Sequence, residues 1–216
     1  PEIGVASTKA FTSQLVALLC LALRAAEAKG TLAPQEKHAF GKDIASLPHY
    51  MHEVLQLDKK ILELANRLLP AKHSLYLGRG TSYPIALEGA LKLKELSYIH
   101  AEGYAAGELK HGPIALVDEE MPVVVVAPYD RWFEKTISNM QEVIARGGKV
   151  ICLTDKRGQK LAQGENVTLL LLPEVPASLT PIVYTLPLQL LAYHTAVLRG
   201  TDVDQPRNLA KSVTVE

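Results

Sequence analysis

The chain has 216 residues, 48% of them hydrophobic, and its 23 Lys plus Arg balance 23 Asp plus Glu. That apolar fraction supplies a core for one large domain, or one domain with added elements, and excludes a disordered chain. The zero net charge gives no overall field for nucleic acid or an acidic membrane surface.

Pro1 opens the chain without an initiator methionine, as a processed chain or a segment of a longer one does, and no basic cluster precedes the first apolar run. Ser7 or Thr8 caps a predicted helix over residues 9–29, closed by Gly30. Phe11, Leu15, Leu18, Leu19, Leu21 and Leu23 surround most of its circumference, so it is expected to pack between other elements. Arg24 interrupts its apolar run short of the ~20 residues a spanning helix needs, and a soluble, cytoplasmic protein is expected. Cys20 in this helix and Cys152 further on both lie in apolar runs, so each is expected to be a buried free thiol. A second helical region follows Pro34. A third covers residues 48–69, with Val54, Leu57, Ile61, Leu64 and Leu68 spaced for one face and Pro70 as its stop.

From His73 the pattern changes. "HSLYLGRGTSYP" is a short apolar run entering a glycine turn, and "IALEGALKLKELSY" has helical spacing. "SYIHAEGYAAGELKHGP" then shows no steady period and reads as a polar connector or the rim of a site. "MPVVVVAPY", "KVICLT" and "NVTLLLLP" read as buried strands. Between the first two, residues 131–146 are helix-like and stop at Gly147-Gly148. "TPIVYTLPLQLLAYHTAVLRG" is a helix with Pro187 near its first turns, and "TDVDQPRNLAKSVTVE" is a polar tail without a period. Continuous apolar strands alternating with helices imply a parallel sheet covered on both faces, an α/β fold.

Four features bear chemistry. The glycines and hydroxyls of "LGRGTSYP" suit an anion at a helix N-terminus, or simply a tight turn with a cap. Glu88, Lys92 and Glu95 share one helix face, either as a surface ion-pair ladder or as a partly desolvated carboxylate near a lysine, fit for proton transfer. His111 precedes Gly112-Pro113 in a loop expected at the ligand crevice of an open parallel sheet, where it either projects or is plain surface. Lys211 is a solvated tail residue, or an amine that forms a Schiff base in a pocket. His100 and His111 lack zinc-helix spacing and have no cysteine nearby, so no metal is expected.

The stretches "GRGTSYPIALEGALKLKELSYIHAEGYAAGELKHGP", "GTDVDQPRNLAKSVTVE" and "PEIGVASTKAFTSQL" resemble the glucosamine-6-phosphate synthase family, the isomerising glutamine–fructose-6-phosphate aminotransferases. The resemblance runs from Pro1 to Glu216 and is loosest over residues 31–72 and 155–180. It implies a sugar-isomerase (SIS) domain, a five-stranded parallel sheet flanked by helices and similar to flavodoxin. On that basis residues 1–58 are the helical remainder of a first SIS domain with a linker. Residues 59–200 are the second SIS domain, and residues 201–216 a tail reaching the active site.

The resemblance further implies that Lys211 forms an imine with fructose 6-phosphate, that Glu95 moves a proton between C1 and C2, and that Lys92 assists it. His111 would assist ring opening from the neighbouring subunit of a homodimer, and Val5, Ser7 and Ala210 would line the sugar site. The product would be glucosamine 6-phosphate, with no cofactor, metal, nucleic acid or membrane partner. The family's S-x-S-G-x-T phosphate loop and its N-terminal nucleophilic cysteine are absent from the 216 residues, so the chain is expected to be inactive alone. A non-catalytic sugar-phosphate-binding module is the alternative, and the joint presence of Glu95, His111 and Lys211 argues against it.

Overall fold

Five strands form one parallel sheet in the computed structural model, which describes residues 3–211. They are β1 (His73–Gly78), β2 (His100–Ala105), β3 (Pro122–Val126), β4 (Lys149–Asp155) and β5 (Val167–Leu172), in the order β2-β1-β3-β4-β5. This is the doubly wound order of flavodoxin-like folds, with its switch point between β1 and β3. Alternation along the strands divides the core. Tyr76, Val124, Val126, Ile151 and Leu153 face one helical layer, and Leu75, Leu77, Val123, Val125 and Cys152 face the other. Both faces are covered and buried, as continuous apolar strands require.

The helices are α1 (Lys9–Ala28), α2 (Pro34–Leu55), α3 (Asp58–Leu68), α4 (Ser82–Ser97), α5 (Phe133–Ile144), α6 (Gln159–Ala162) and α7 (Thr180–Arg199). Helices α3, α4 and α7 cover one face with α2 and α1 outside them, while α5 and α6 cover the other. The buried His194 of α7 ties this layer to α3 through Asp58, with Nε2 2.7 Å from Oδ1.

Four expectations are corrected. The helix expected over residues 48–69 is two helices. Pro48 sits inside α2, and the break falls where the Leu57 N–H bonds back to Val54 and Asp58 opens α3. Second, α1 is not packed on all sides: Thr12 is its buried residue, while Leu18 and Leu21 are 60% and 65% exposed. Cys20 is exposed with them because α1 packs chiefly on α7 and α2 along one flank. Cys152 does lie at the centre of β4, where burial pushes its thiol up to about 12. Third, Arg24 does not bar α1 by length and composition. Both α1 and α7 are long and apolar enough to cross a membrane, although α7 is two-thirds buried in the domain. Fourth, the polar stretch after α4 contains a strand, β2. As an edge strand half open to solvent it has no need of an apolar run, which hides it from pattern reading.

Candidate active site

Helix α4 packs on β1, β2 and α7, and its close seat on β2 depends on Gly103. A Cβ at that position would lie 2.8 Å from Leu87 Cα, so any side chain there pushes the helix backbone away. Lys92 is buried on this helix, its side chain 3% exposed, with Nζ 2.5 Å from Glu95 Oε2 and 3.6 Å from Glu88 Oε1. Of the two readings of this face, a surface ladder or a partly desolvated carboxylate near a lysine, the structure has the desolvated one, which strengthens each charge interaction. Burial raises the Glu88 carboxyl above its ordinary value. The Lys92 ammonium pulls it back, and Glu95 adds repulsion. Glu88 Oε1 has no hydrogen-bond partner, while Glu95 remains partly open to solvent.

The end of α4 is also where the described N-terminal and C-terminal segments meet. Tyr98 closes the helix in the left-handed conformation, φ +61°, its N–H bonding Lys94 O. The Thr201 hydroxyl donates to Leu96 O at 2.6 Å, the Arg207 N–H donates to Tyr98 Oη at 2.8 Å, and the Arg207 guanidinium stacks 4.2 Å over the Tyr98 ring. Asp202 shapes the tail by accepting the N–H groups of Gln205 and Asp204, which hold its carboxyl below the usual range. The N-terminal segment joins through the Val5 N–H, which donates to Asp204 O at 2.8 Å. A cavity of about 310 Å³ opens beside these segments, lined by Gly4, Ala6, Leu96, Gln189, Tyr193 and Asp204.

This group lies at the N-terminal edge of the sheet, because β2 begins two residues after Tyr98. The expectation that the whole polar stretch borders the C-terminal crevice is corrected accordingly. Only its far half does. His111 ends a 3-10 turn, Ala106–His111, that follows β2, and it is exposed, with Nδ1 2.8 Å from Glu108 Oε2. The six residues of β2 separate it from Tyr98 by ~20 Å of strand.

At that C-terminal edge the "LGRGTSYP" turn is tightly packed. The N–H groups of Ser82 and Tyr83 bond back to Arg79 and Gly80. Gly80 has φ +54°, and a Cβ there would meet Trp132 Nε1 at 2.6 Å, so the indole packs directly against the turn. Beyond Trp132 lies a cavity of about 450 Å³ bounded by Thr81, Asp130, Asp155, Arg157 and Tyr184.

Of the predicted site residues, the structure joins Lys92 to Glu95 directly and folds the segment bearing Val5 and Ser7 against the tail that leads to Ala210 and Lys211. Ala210 and Lys211 are exposed, and Val5 and Ser7 half-buried. His111 stands apart. Pattern reading singled out neither Tyr98 nor Arg207, since an aromatic after a helix and an arginine in a polar tail carry no spacing signal. Among the described residues no cluster of three or more His, Cys, Asp or Glu side chains could hold a metal.

The SIS domain family model matches residues 67–199. The chain is 66% identical over 216 residues to "Glutamine--fructose-6-phosphate aminotransferase [isomerizing]" of Bartonella quintana, covering all of this chain and 36% of that protein. It is 61% identical to the protein of the same name from Brucella abortus, with the same coverage. Among solved structures it resembles the C-terminal domain of glucosamine-fructose-6-phosphate aminotransferase from Francisella tularensis at 50% identity and a TM-score of 0.93. That match covers 95% of this chain and 58% of the other. The chain thus spans about a third of the length of the curated relatives it matches.

Proposed function

The chain belongs to the SIS domain family, and we propose that it is the sugar-isomerising part of a glutamine–fructose-6-phosphate aminotransferase. The observation that carries this reading is the Lys92–Glu95 pair at the end of α4, onto which both the N-terminal segment and the tail fold. The Lys211 amine attacks the C2 carbonyl of open-chain fructose 6-phosphate, and water leaves as the imine forms. Glu95 takes the proton from C1 and returns it to C2, converting the ketose derivative to the aldose; a single carboxylate serves both carbons. Lys92, 2.5 Å from Glu95, fixes its direction and steadies the carboxylate. Val5, Ser7 and Ala210 line the sugar. In the full-length enzyme glutamine-derived ammonia adds to the C2 imine and displaces the Lys211 amine before that proton transfer, so the transfer leaves the ammonia nitrogen on C2 as glucosamine 6-phosphate and Lys211 free; the enzyme is cytoplasmic.

The domain division follows. Residues 59–200 form the second SIS domain, in keeping with the family match over 67–199, and residues 201–216 are a tail serving the site. Residues 1–58 end a preceding SIS domain, whose body would cover the exposed leucines of α1. The enzyme is a homodimer in which His111 opens the sugar ring in the neighbouring subunit's site. The ~20 Å of β2 between Tyr98 and the His111 turn supports that assignment, because the His111 and Glu95 of one subunit lie at opposite sheet edges.

The test is borohydride trapping with fructose 6-phosphate, followed by peptide mapping. A sugar adduct on Lys211 in the full-length enzyme is the expected result. An adduct on another residue, or none, overturns the role of Lys211. A full-length adduct without one on the 216-residue chain marks the chain as part of a site completed by the preceding domain.

A further inference from the structure

We propose that Tyr98 is a positioning residue for Lys211, a role that rests on the function proposed above and deepens it. Three observations converge. The first is backbone conformation. Tyr98 holds φ +61°, a region that a bulky residue rarely occupies and that glycine fills without steric cost. A helix that only needed to end here would be served better by glycine. A tyrosine kept in a disfavoured conformation points to work done by its side chain.

The second observation is what that side chain holds. Its hydroxyl accepts the Arg207 N–H at 2.8 Å, and its ring lies 4.2 Å beneath the Arg207 guanidinium. One phenol thus grips both the backbone and the side chain of a single tail residue. Arg207 is itself exposed, so this grip is not imposed by burial in a core.

The third is where the grip falls along the chain. Tyr98 lies three residues beyond Glu95, ~5 Å along the helix axis. Arg207 lies four residues before Lys211, a span of at most ~14 Å when extended. The same ring therefore fixes the end of the helix that carries the base and the start of the short tether that carries the amine. The Thr201 bond to Leu96 and the Val5 bond to Asp204 fasten the tail further upstream, and the Tyr98–Arg207 contact lies nearer to Lys211 than either. Tyr98 acts on the reaction through Lys211 rather than on the sugar.

The test compares Tyr98→Gly and Tyr98→Phe with wild type in the full-length enzyme. Glycine suits the backbone, so Tyr98→Gly is expected to keep or raise Tm. Its kcat and its initial rate of borohydride trapping on Lys211 should fall about ten-fold or more, since small misplacements of a reacting group cost that much or more. KM for fructose 6-phosphate should change less than kcat does, because Val5 and Ser7 stay in place and only Ala210 of the sugar-lining residues moves with the tail. Tyr98→Phe keeps the ring beneath Arg207 and loses only the acceptor, so its loss should be smaller. Wild-type trapping and kcat in Tyr98→Gly overturn the proposal, as does a loss of activity accompanied by a fall in Tm, which marks a merely structural residue. If wild type itself gives no Lys211 adduct, the proposed function falls and this role with it. If wild type traps and Tyr98→Gly equals it, only the positioning role falls.

Discussion

Lys92 reaches Glu95 across one turn of α4, with Nζ 2.5 Å from Oε2, while almost wholly removed from water. The ammonium also stands 3.6 Å from Glu88, so one cation serves two carboxylates on the same helix face. Replacing it with methionine keeps the stem and leaves the buried Glu88 and the partly buried Glu95 without that cation. We expect Lys92→Met to destabilise the fold by about 3–5 kcal/mol, the range for breaking a buried ion pair from one side. Urea unfolding at neutral pH measures it, and a change below 1 kcal/mol would mean that water reaches these carboxylates freely.

Glu88 has a pH signature of a definite sign. Its carboxyl titrates above the ordinary 4.5 in the folded chain, chiefly through burial. The folded state therefore binds this proton more tightly than the unfolded state does. The resulting stability is fully present below 4.5 and is lost as the pH rises through the folded value. Glu88→Gln removes that dependence. Unfolding free energies measured from pH 4.5 upward should decline less steeply in the variant, and identical slopes would count against a raised Glu88.

The sheet was legible in the sequence where strands are buried on both faces. "VVVV", "KVICLT" and "VTLLLL" have no other reading, and β3, β4 and β5 follow them. β2 was not legible, because an edge strand that carries Glu102 and Tyr104 meets solvent and so has no hydrophobic signature. The packing of α1 was misread for the opposite reason: apolar residues around a helix predict burial without naming what buries them. At the site, i,i+3 and i,i+4 spacing put Glu88, Lys92 and Glu95 on one face, but spacing holds no information about depth. The alignment of Tyr98 with Arg207 joins residues 109 positions apart, and no local pattern encodes such a contact.

The separation of His111 from Glu95 makes a prediction that mixed subunits can read. Glu95→Gln alone should lower turnover by about 10²–10⁴-fold, the usual contribution of a general base. His111→Ala should impair turnover of the cyclic sugar. In a heterodimer of the two, a histidine acting across the interface leaves one site with both natural residues and one with neither. Random reassociation would then restore about a quarter of wild-type turnover, since half the dimers are mixed and half their sites intact. If His111 acts within its own subunit, every site keeps one lesion and no activity returns.

The seat of α4 on β2 gives a prediction independent of the chemistry. Gly103 lies where the helix backbone approaches most closely, and the obstacle to a new methyl group is Leu87 Cα at 2.8 Å and Leu87 N at 2.9 Å. Side-chain rotation cannot relieve a clash with backbone, so α4 or β2 must shift as a body. Overpacking of this kind costs about 1–3 kcal/mol, and Gly103→Ala should destabilise the chain by that amount in urea or thermal unfolding. Because the displaced helix carries Lys92 and Glu95, C1 proton exchange in the full-length enzyme should fall as well. Exchange at the wild-type rate in a destabilised variant would show that the shift is absorbed by β2, at the free edge of the sheet, instead of by the helix.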